Sequence, residues 1–327
     1  MKYISVLLFL FFSMVQGFGQ PSPLEGFMEG KSVVLISAAP GAKPVMSWGT
    51  LAEKIHDALI EAGGDPVAYY ELEDIIISEE KQAGYADAFA QRLIKNVITL
   101  TRKENAELSI HIMPFTQDKN IAAQGTSWSV SASNVDELGE RITAIGVNRP
   151  SRNFLVIDVP EFGSGDVESK GSSPFLPRKP LNLDVFKLGV PLSGATGESS
   201  FLTTFRYDLL GKSSEQMLAE QQGEKKELEN IFKTYYPYEV EFLGSSKTDA
   251  ELINDRVQFV LTRLQGREGD LMKSMGVKIP DSIDTERIVV KYYIRFLVRD
   301  ELYIGSVWDA DPNWKVALIN FIKNLQI

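Results

Sequence analysis

A short run near the amino end, Ser32–Ser37 (SVVLIS), holds four consecutive apolar residues and is too brief for a helix, so it reads as a buried strand. Pro40, Gly41 and Pro44 break it. Leu51, Ile55, Leu59 and Ala62 then recur at helical spacing, and Gly63-Gly64 followed by Pro66 supplies a cap and a stop. Val67–Leu72 is a second strand. Strand, helix and strand in this order place the chain in the α/β class.

The alternation continues. A long helix is expected over Glu79–Lys103, with Phe89, Leu93, Val97 and Leu100 on one face. Leu108, Ile110 and Ile112 alternate with Ser109 and His111 as a half-buried strand, and Ser127–Ala132 is its hairpin partner. Asn134 caps a helix through Ile145, and Asn153–Val159 (NFLVIDV) is a further buried strand. Glu161–Ser200 is looser and proline-rich. Within it Gly163–Pro180 is an exposed, mobile loop, and Val185–Val190 is a lone strand.

The first pattern then returns. Leu218-Ala219-Glu220 repeats Leu51-Ala52-Glu53 at an offset of 167, Tyr235-Tyr236 repeats Tyr69-Tyr70 at 166, and Arg256 follows Arg92 at 164. Phe201–Tyr207 stands where Val33–Ala39 stood. Trp308 follows Trp128 at an offset of 180, which an insertion around Gly266–Glu286 explains. Val290, Tyr292, Ile294, Phe296 and Val298 supply the second alternating strand, and Asn313–Leu325 the closing helix. The expected fold is therefore a mixed-sheet α/β (α+β) chain holding two divergent copies of a β-α-β-α-β-β-α unit. The boundaries are 1–19 for a leader, 20–160 for the first lobe, 161–197 for a linker and 198–327 for the second lobe.

The leader has a distinct character. Lys2 precedes an almost unbroken apolar run, Ile4–Val15, and Gly17-Phe18-Gly19 offers small residues for cleavage before Gln20. The run is shorter than the ~20 residues a bilayer span needs, so it reads as a secretory signal peptide. The expected product is soluble and exported, to the bacterial periplasm or the extracellular space, with no membrane span in the mature chain. The 327 residues contain no cysteine, which removes disulfides, thiolate nucleophiles and cysteine zinc sites. With 34 Lys+Arg against 44 Asp+Glu, and no concentrated basic patch, the chain is not expected to bind nucleic acid.

A first strand, a helix opening with Leu51-Ala52-Glu53 and closed by Gly63-Gly64, a strand ending Glu71-Leu72-Glu73-Asp74-Ile75-Ile76, a second helix and a hairpin together resemble a known envelope domain. The pattern is similar to the amino-terminal domain of TolB and to the curli-secretion lipoprotein family, over Ser32–Ile145 and more faintly over Phe201–Leu325. The lipidated cysteine is missing and no propeller repeats follow. The resemblance implies an α/β fold, an envelope setting and a role in assembly.

No catalytic signature stands out. Ala39-Pro40-Gly41-Ala42-Lys43-Pro44 lacks the second glycine and the hydroxyl residue of a phosphate loop, and no G-x-S-x-G elbow occurs. His56, beside Asp57, reads as a solvated helix residue, and His111 as an imidazole on the sheet surface. Asp158 and Glu161 follow a predicted buried strand, where open α/β sheets place ligands and acids, and are the candidate catalytic pair. Asp309 and Asp311, before the last helix, are the candidate metal pair, although a turn and a helix N-cap explain them better. No cofactor is expected. The leading expectation is a non-catalytic envelope protein that binds another envelope protein or a polymer. The alternatives are a secreted hydrolase or metal-dependent enzyme using Asp158 and Glu161, and a small-molecule binder with a cleft between its lobes.

Overall fold

The computed structural model describes residues 23–39, 41–123, 125, 127–163, 175–192, 201–205, 210, 214–244 and 247–325. The expected leader and most of the Gly163–Pro180 loop fall outside them. The chain is α/β, and among the described residues it forms two mixed sheets of six strands each.

In the first sheet β1 (Lys31–Ile36), β2 (Asp65–Glu71), β3 (Asn96–Arg102), β4 (Leu108–Pro114), β5 (Trp128–Ala132) and β6 (Glu161–Phe162) stand in the order β5-β4-β3-β1-β2-β6. β1 runs parallel to β2 and β3, while β4 and β5 continue antiparallel. Both faces of β1 are apolar because both are covered. Val34 and Ile36 face α1 (Pro23–Phe27), α2 (Trp48–Glu61) and α5 (Val135–Thr143); Val33 and Leu35 face α3 (Leu72–Ile75) and α4 (Glu79–Gln91). Side-chain caps fix where these helices start: Ser47 accepts from the Thr50 amide, Ser78 from Lys81 and Asn134 from Glu137.

The second sheet holds β7 (Phe175–Leu176), β8 (Lys187–Pro191), β9 (Val240–Leu243), β10 (Val257–Arg267), β11 (Ile288–Phe296) and β12 (Glu301–Tyr303), in the order β7-β12-β11-β10-β8-β9. One face packs under α6 (Ser214–Tyr235) and α9 (Trp314–Asn324). The other packs under α8 (Glu268–Ser274) and receives Ile77 from the first lobe. Between β9 and β10, α7 (Asp249–Asn254) opens with a capping box formed by Thr248 and Glu251. No helix among the described residues is long and apolar enough to cross a membrane.

Strands β8, β9, β10, β11 and β12 follow the order and sense of β1, β2, β3, β4 and β5. The alignment expected from sequence is different. Phe201–Phe205 is a short 3-10 helix whose Leu202 and Phe205 pack in the first sheet's core, and β8 holds the place of β1. Trp128 opens β5, whereas Trp308 lies beyond β12. The expected linker also supplies strands to both sheets, β6 to the first and β7 and β8 to the second.

Two elements differ from expectation. The helix expected over Glu79–Lys103 ends at Gln91, Leu93 takes a left-handed φ of 58°, and the chain re-enters the sheet as β3. The β-branched run of Asn96–Arg102 is buried at every position, and such a run cannot be told from a helix by periodicity alone. Asn153–Val159 is not a buried strand: it is irregular, with Phe154, Leu155, Ile157 and Val159 exposed, and only Glu161 and Phe162 pair with β2.

Candidate functional site

Just past β1 the Ser37 amide still donates to the Leu100 carbonyl of β3 at 2.9 Å, and where β2 ends, Glu71 leads into the short helix α3. In a doubly wound sheet the crevice beside the first strand is the usual ligand site. Here the β1/β3 side is plugged. The buried guanidinium of Arg102 donates to the carbonyls of Ser37 at 3.3 Å, Pro44 at 3.0 Å and Met46 at 2.8 Å.

The open space lies instead on the β1/β2 side, where β10 and α8 of the second lobe close over it. It is a cleft of about 200 Å3 lined by Ala38, Glu71, Glu73, Ile76 and Ile77 from the first lobe, and by Gln265, Gly266, Arg267, Asp270, Glu286 and Ile288 from the second. Glu73 is held at the cleft's edge: its Oε1 accepts from Ser37 Oγ at 2.5 Å and its Oε2 from the Ala38 amide at 2.8 Å. Glu71 Oε1 accepts from Arg267 Nη2 at 2.5 Å, and Arg267 Nε donates to Asp270 at 2.7 Å. This fork ties the two lobes together across 196 residues of sequence.

Burial pushes both glutamate carboxyls up, with Glu71 reaching about 7 even though Arg267 opposes the shift. Four acidic side chains line the cleft against one guanidinium, and that guanidinium is already shared between two of them. Ile76, Ile77 and Ile288 supply apolar wall. The arrangement suits a small group that carries positive charge and hydrogen-bond donors on a carbon frame.

The acids expected from sequence lie elsewhere. Asp158 is exposed, and its Oδ1 is 3.4 Å from His56 Nε2 without the alignment of a hydrogen bond. Glu161 forms a two-pronged ion pair with Arg92, at 2.9 and 2.7 Å. Asp309 is buried in an ion pair with Lys291, and Asp311 accepts from the Asn313 amide at 2.8 Å as a turn residue. The candidate catalytic pair and the candidate metal pair are thus both split between structural partners. Among the described residues no three His, Cys, Asp or Glu side chains gather as a metal site.

His56 is not solvated. It is buried on α2 and shares a 2.7 Å hydrogen bond with Tyr69 through Nδ1. His111 packs against the Phe205 ring at 4.8 Å.

Sequence reasoning passed over Glu71, Glu73 and Arg267 as site residues. A signal for the first two was present: Glu71 closes a buried strand and Glu73 follows it, the same reasoning that selected Asp158 and Glu161. Arg267 had none, since it reaches the cleft only through packing of the lobes. No family model, curated protein or solved structure matches this chain, so its functional reading rests on the geometry of the cleft.

Proposed function

We propose that the chain is a binding protein that takes a small organic cation, an amine or guanidine on a short apolar frame, in the cleft between its two lobes. The observation that carries the proposal is the excess of carboxylates over cations at the ends of β1, β2 and β10, with Arg267 already engaged. A ligand ammonium replaces the charge these groups lack, and the isoleucine wall accepts its carbon chain.

Binding is favoured over catalysis because the nearby hydroxyl, Ser37, donates to Glu73, and both imidazoles lie away from the cleft on α2 and β4. The apolar run Ile4–Val15 supports a second part of the proposal, that the chain meets its ligand outside the cytoplasm.

The test is calorimetric titration of the full chain with 1,4-diaminobutane and butylguanidine, with butanol and butyrate as uncharged and anionic controls. The cations bind and the controls do not. Glu73→Gln and Glu286→Gln each weaken cation binding by about tenfold, in line with the loss of one charge-assisted hydrogen bond of ~1.5 kcal/mol. Equal binding of the cations and the controls, or affinity untouched in both variants, rejects the proposal.

A further inference from the structure

Lys291, in the middle of β11, is fully buried, and the groups around it are the parts of an acyl-transfer site. Its ammonium donates to Asp309 Oδ1 at 2.6 Å and to the Ile304 carbonyl at 2.7 Å, against the rings of Phe321 and Trp308. The other oxygen of Asp309 accepts from Asn324 Nδ2 at 2.9 Å, at the end of α9. One carboxyl therefore touches an amine on one side and a primary amide on the other. Asn324 is fixed from two further directions: its Nδ2 also donates to the Val307 carbonyl at 2.7 Å, and its Oδ1 accepts from Ser306 Oγ at 3.1 Å. Gly305, at a left-handed φ of 81°, leaves room for this amide, since a Cβ there would stand 2.9 Å from Nδ2. The side chains of Lys291 and Asp309 are 0 and 7% exposed and Asn324 is 6% exposed, so bulk water is kept from competing with the lysine for the amide.

Each part has a role in joining the amine to the amide. An amine attacks only in its neutral form, and burial pulls the Lys291 amine down toward that form while it pushes the Asp309 carboxyl up. A neutral lysine beside a carboxylic acid is this ion pair with one proton moved across the 2.6 Å hydrogen bond. The second oxygen of the same carboxyl faces the Asn324 nitrogen, which is the leaving group and needs that proton. Ser306 Oγ donates to the amide oxygen, where negative charge develops during the attack.

We infer that Lys291 and Asn324 are the site of an intramolecular isopeptide bond, formed within the folded chain with Asp309 as the general acid and base. Lys291 Nζ bonds to Asn324 Cγ, the Cγ–Nδ2 bond breaks, and the amide nitrogen leaves as ammonia. Asp309 gives its proton to the leaving nitrogen and recovers one from Nζ, so it ends as it began and no oxidant or reductant is consumed. The link ties β11, an interior strand of the second sheet, to the end of α9. It constrains the unfolded chain as a disulfide does, in a sequence with no cysteine to form one.

The test is mass spectrometry of the full chain, purified folded and then held at neutral pH. The parent loses the mass of one ammonia, and trypsin leaves Lys291 uncut: the peptide Ile288–Arg295 emerges joined to Asn324–Ile327, with ammonia missing across the link. Lys291→Arg keeps the positive charge but has no nucleophilic amine, and it abolishes the joined peptide. Asp309→Ala leaves amine and amide both in place and slows the linkage by at least about a hundredfold, the contribution of a positioned acid and base. The parent decides the inference even where a variant fails to fold: a folded parent chain whose tryptic peptides show no link after prolonged incubation overturns it. Loss of ammonia without the joined peptide, as from a cyclised amino-terminal glutamine or a succinimide at Asn324, overturns it equally. A link that forms at the parent's rate in Asp309→Ala overturns the role of Asp309.

Discussion

The ammonium of Lys291 lies 2.6 Å from Asp309 Oδ1, and neither side chain reaches solvent to any useful extent. Lys291 also donates to the Ile304 carbonyl at 2.7 Å and sits over the rings of Phe321 and Trp308, at 4.8 and 5.7 Å from their centroids. The other oxygen of Asp309 accepts from Asn324 at 2.9 Å. Burial pulls the lysine down and the aspartate up, and each partner's charge opposes the other's shift. The pair fastens β11 to the loop before α9.

Removing one member leaves the other buried without its ion-pair partner. Lys291→Met is expected to destabilise the chain by ~3 to 5 kcal/mol, and the double variant Lys291→Met, Asp309→Leu by clearly less, because no lone charge remains. Urea unfolding of the two variants and the parent checks this. A double variant as unstable as the single one contradicts the account of the pair.

The first lobe has a corresponding buried contact in His56 and Tyr69. Tyr69 is fully buried, and its hydroxyl and His56 Nδ1 share the proton of one 2.7 Å hydrogen bond. Burial pushes the Tyr69 hydroxyl far above its ordinary range, so it stays protonated at all working pH values. Tyr69→Phe leaves the imidazole nitrogen without that partner and is expected to cost ~1 to 3 kcal/mol in thermal or urea unfolding. A change within a few tenths of a kcal/mol would show that His56 finds another partner.

How far the sequence reveals this molecule depends on which physical signal each element carries. β1 is legible because a short apolar run bounded by Pro and Gly has few other readings, and β11 because Val290, Tyr292 and Ile294 alternate on one face. β3 is not, because a strand covered on both faces has no alternation to show. The stretch 153–159 carries the composition of a central strand and lies exposed outside both sheets, since composition reports what a segment is able to bury and not whether a neighbour is present. For the same reason Asp158, expected at the end of a buried strand, lies on the surface. Glu71 and Glu73 become a site only when Arg267 and Asp270 arrive from the other lobe, a contact between residues 196 positions apart that no local pattern encodes.

The cleft makes the sharpest prediction about pH, because the same carboxylate sets both stability and binding. Glu71 titrates near 7 in the folded chain and near its ordinary 4.5 when unfolded. Between those values the folded state holds a proton that the unfolded state releases, so the Glu71 contribution to stability falls as pH climbs through this window and levels off above it. Cation binding runs the opposite way. A ligand ammonium is held best by ionised Glu71, so affinity rises from pH 6 to pH 8, by up to about tenfold per pH unit below the carboxyl's own pKa. Binding then releases a proton, and calorimetric enthalpies measured at pH 6.5 vary with the ionisation heat of the buffer. Glu71→Gln removes the titrating group, so both the rise in affinity and the proton release shrink, while Arg267 keeps Asp270 as a partner. An affinity for 1,4-diaminobutane that is unchanged between pH 6 and pH 8 in the parent chain, with no buffer dependence, would show that Glu71 does not face the bound cation.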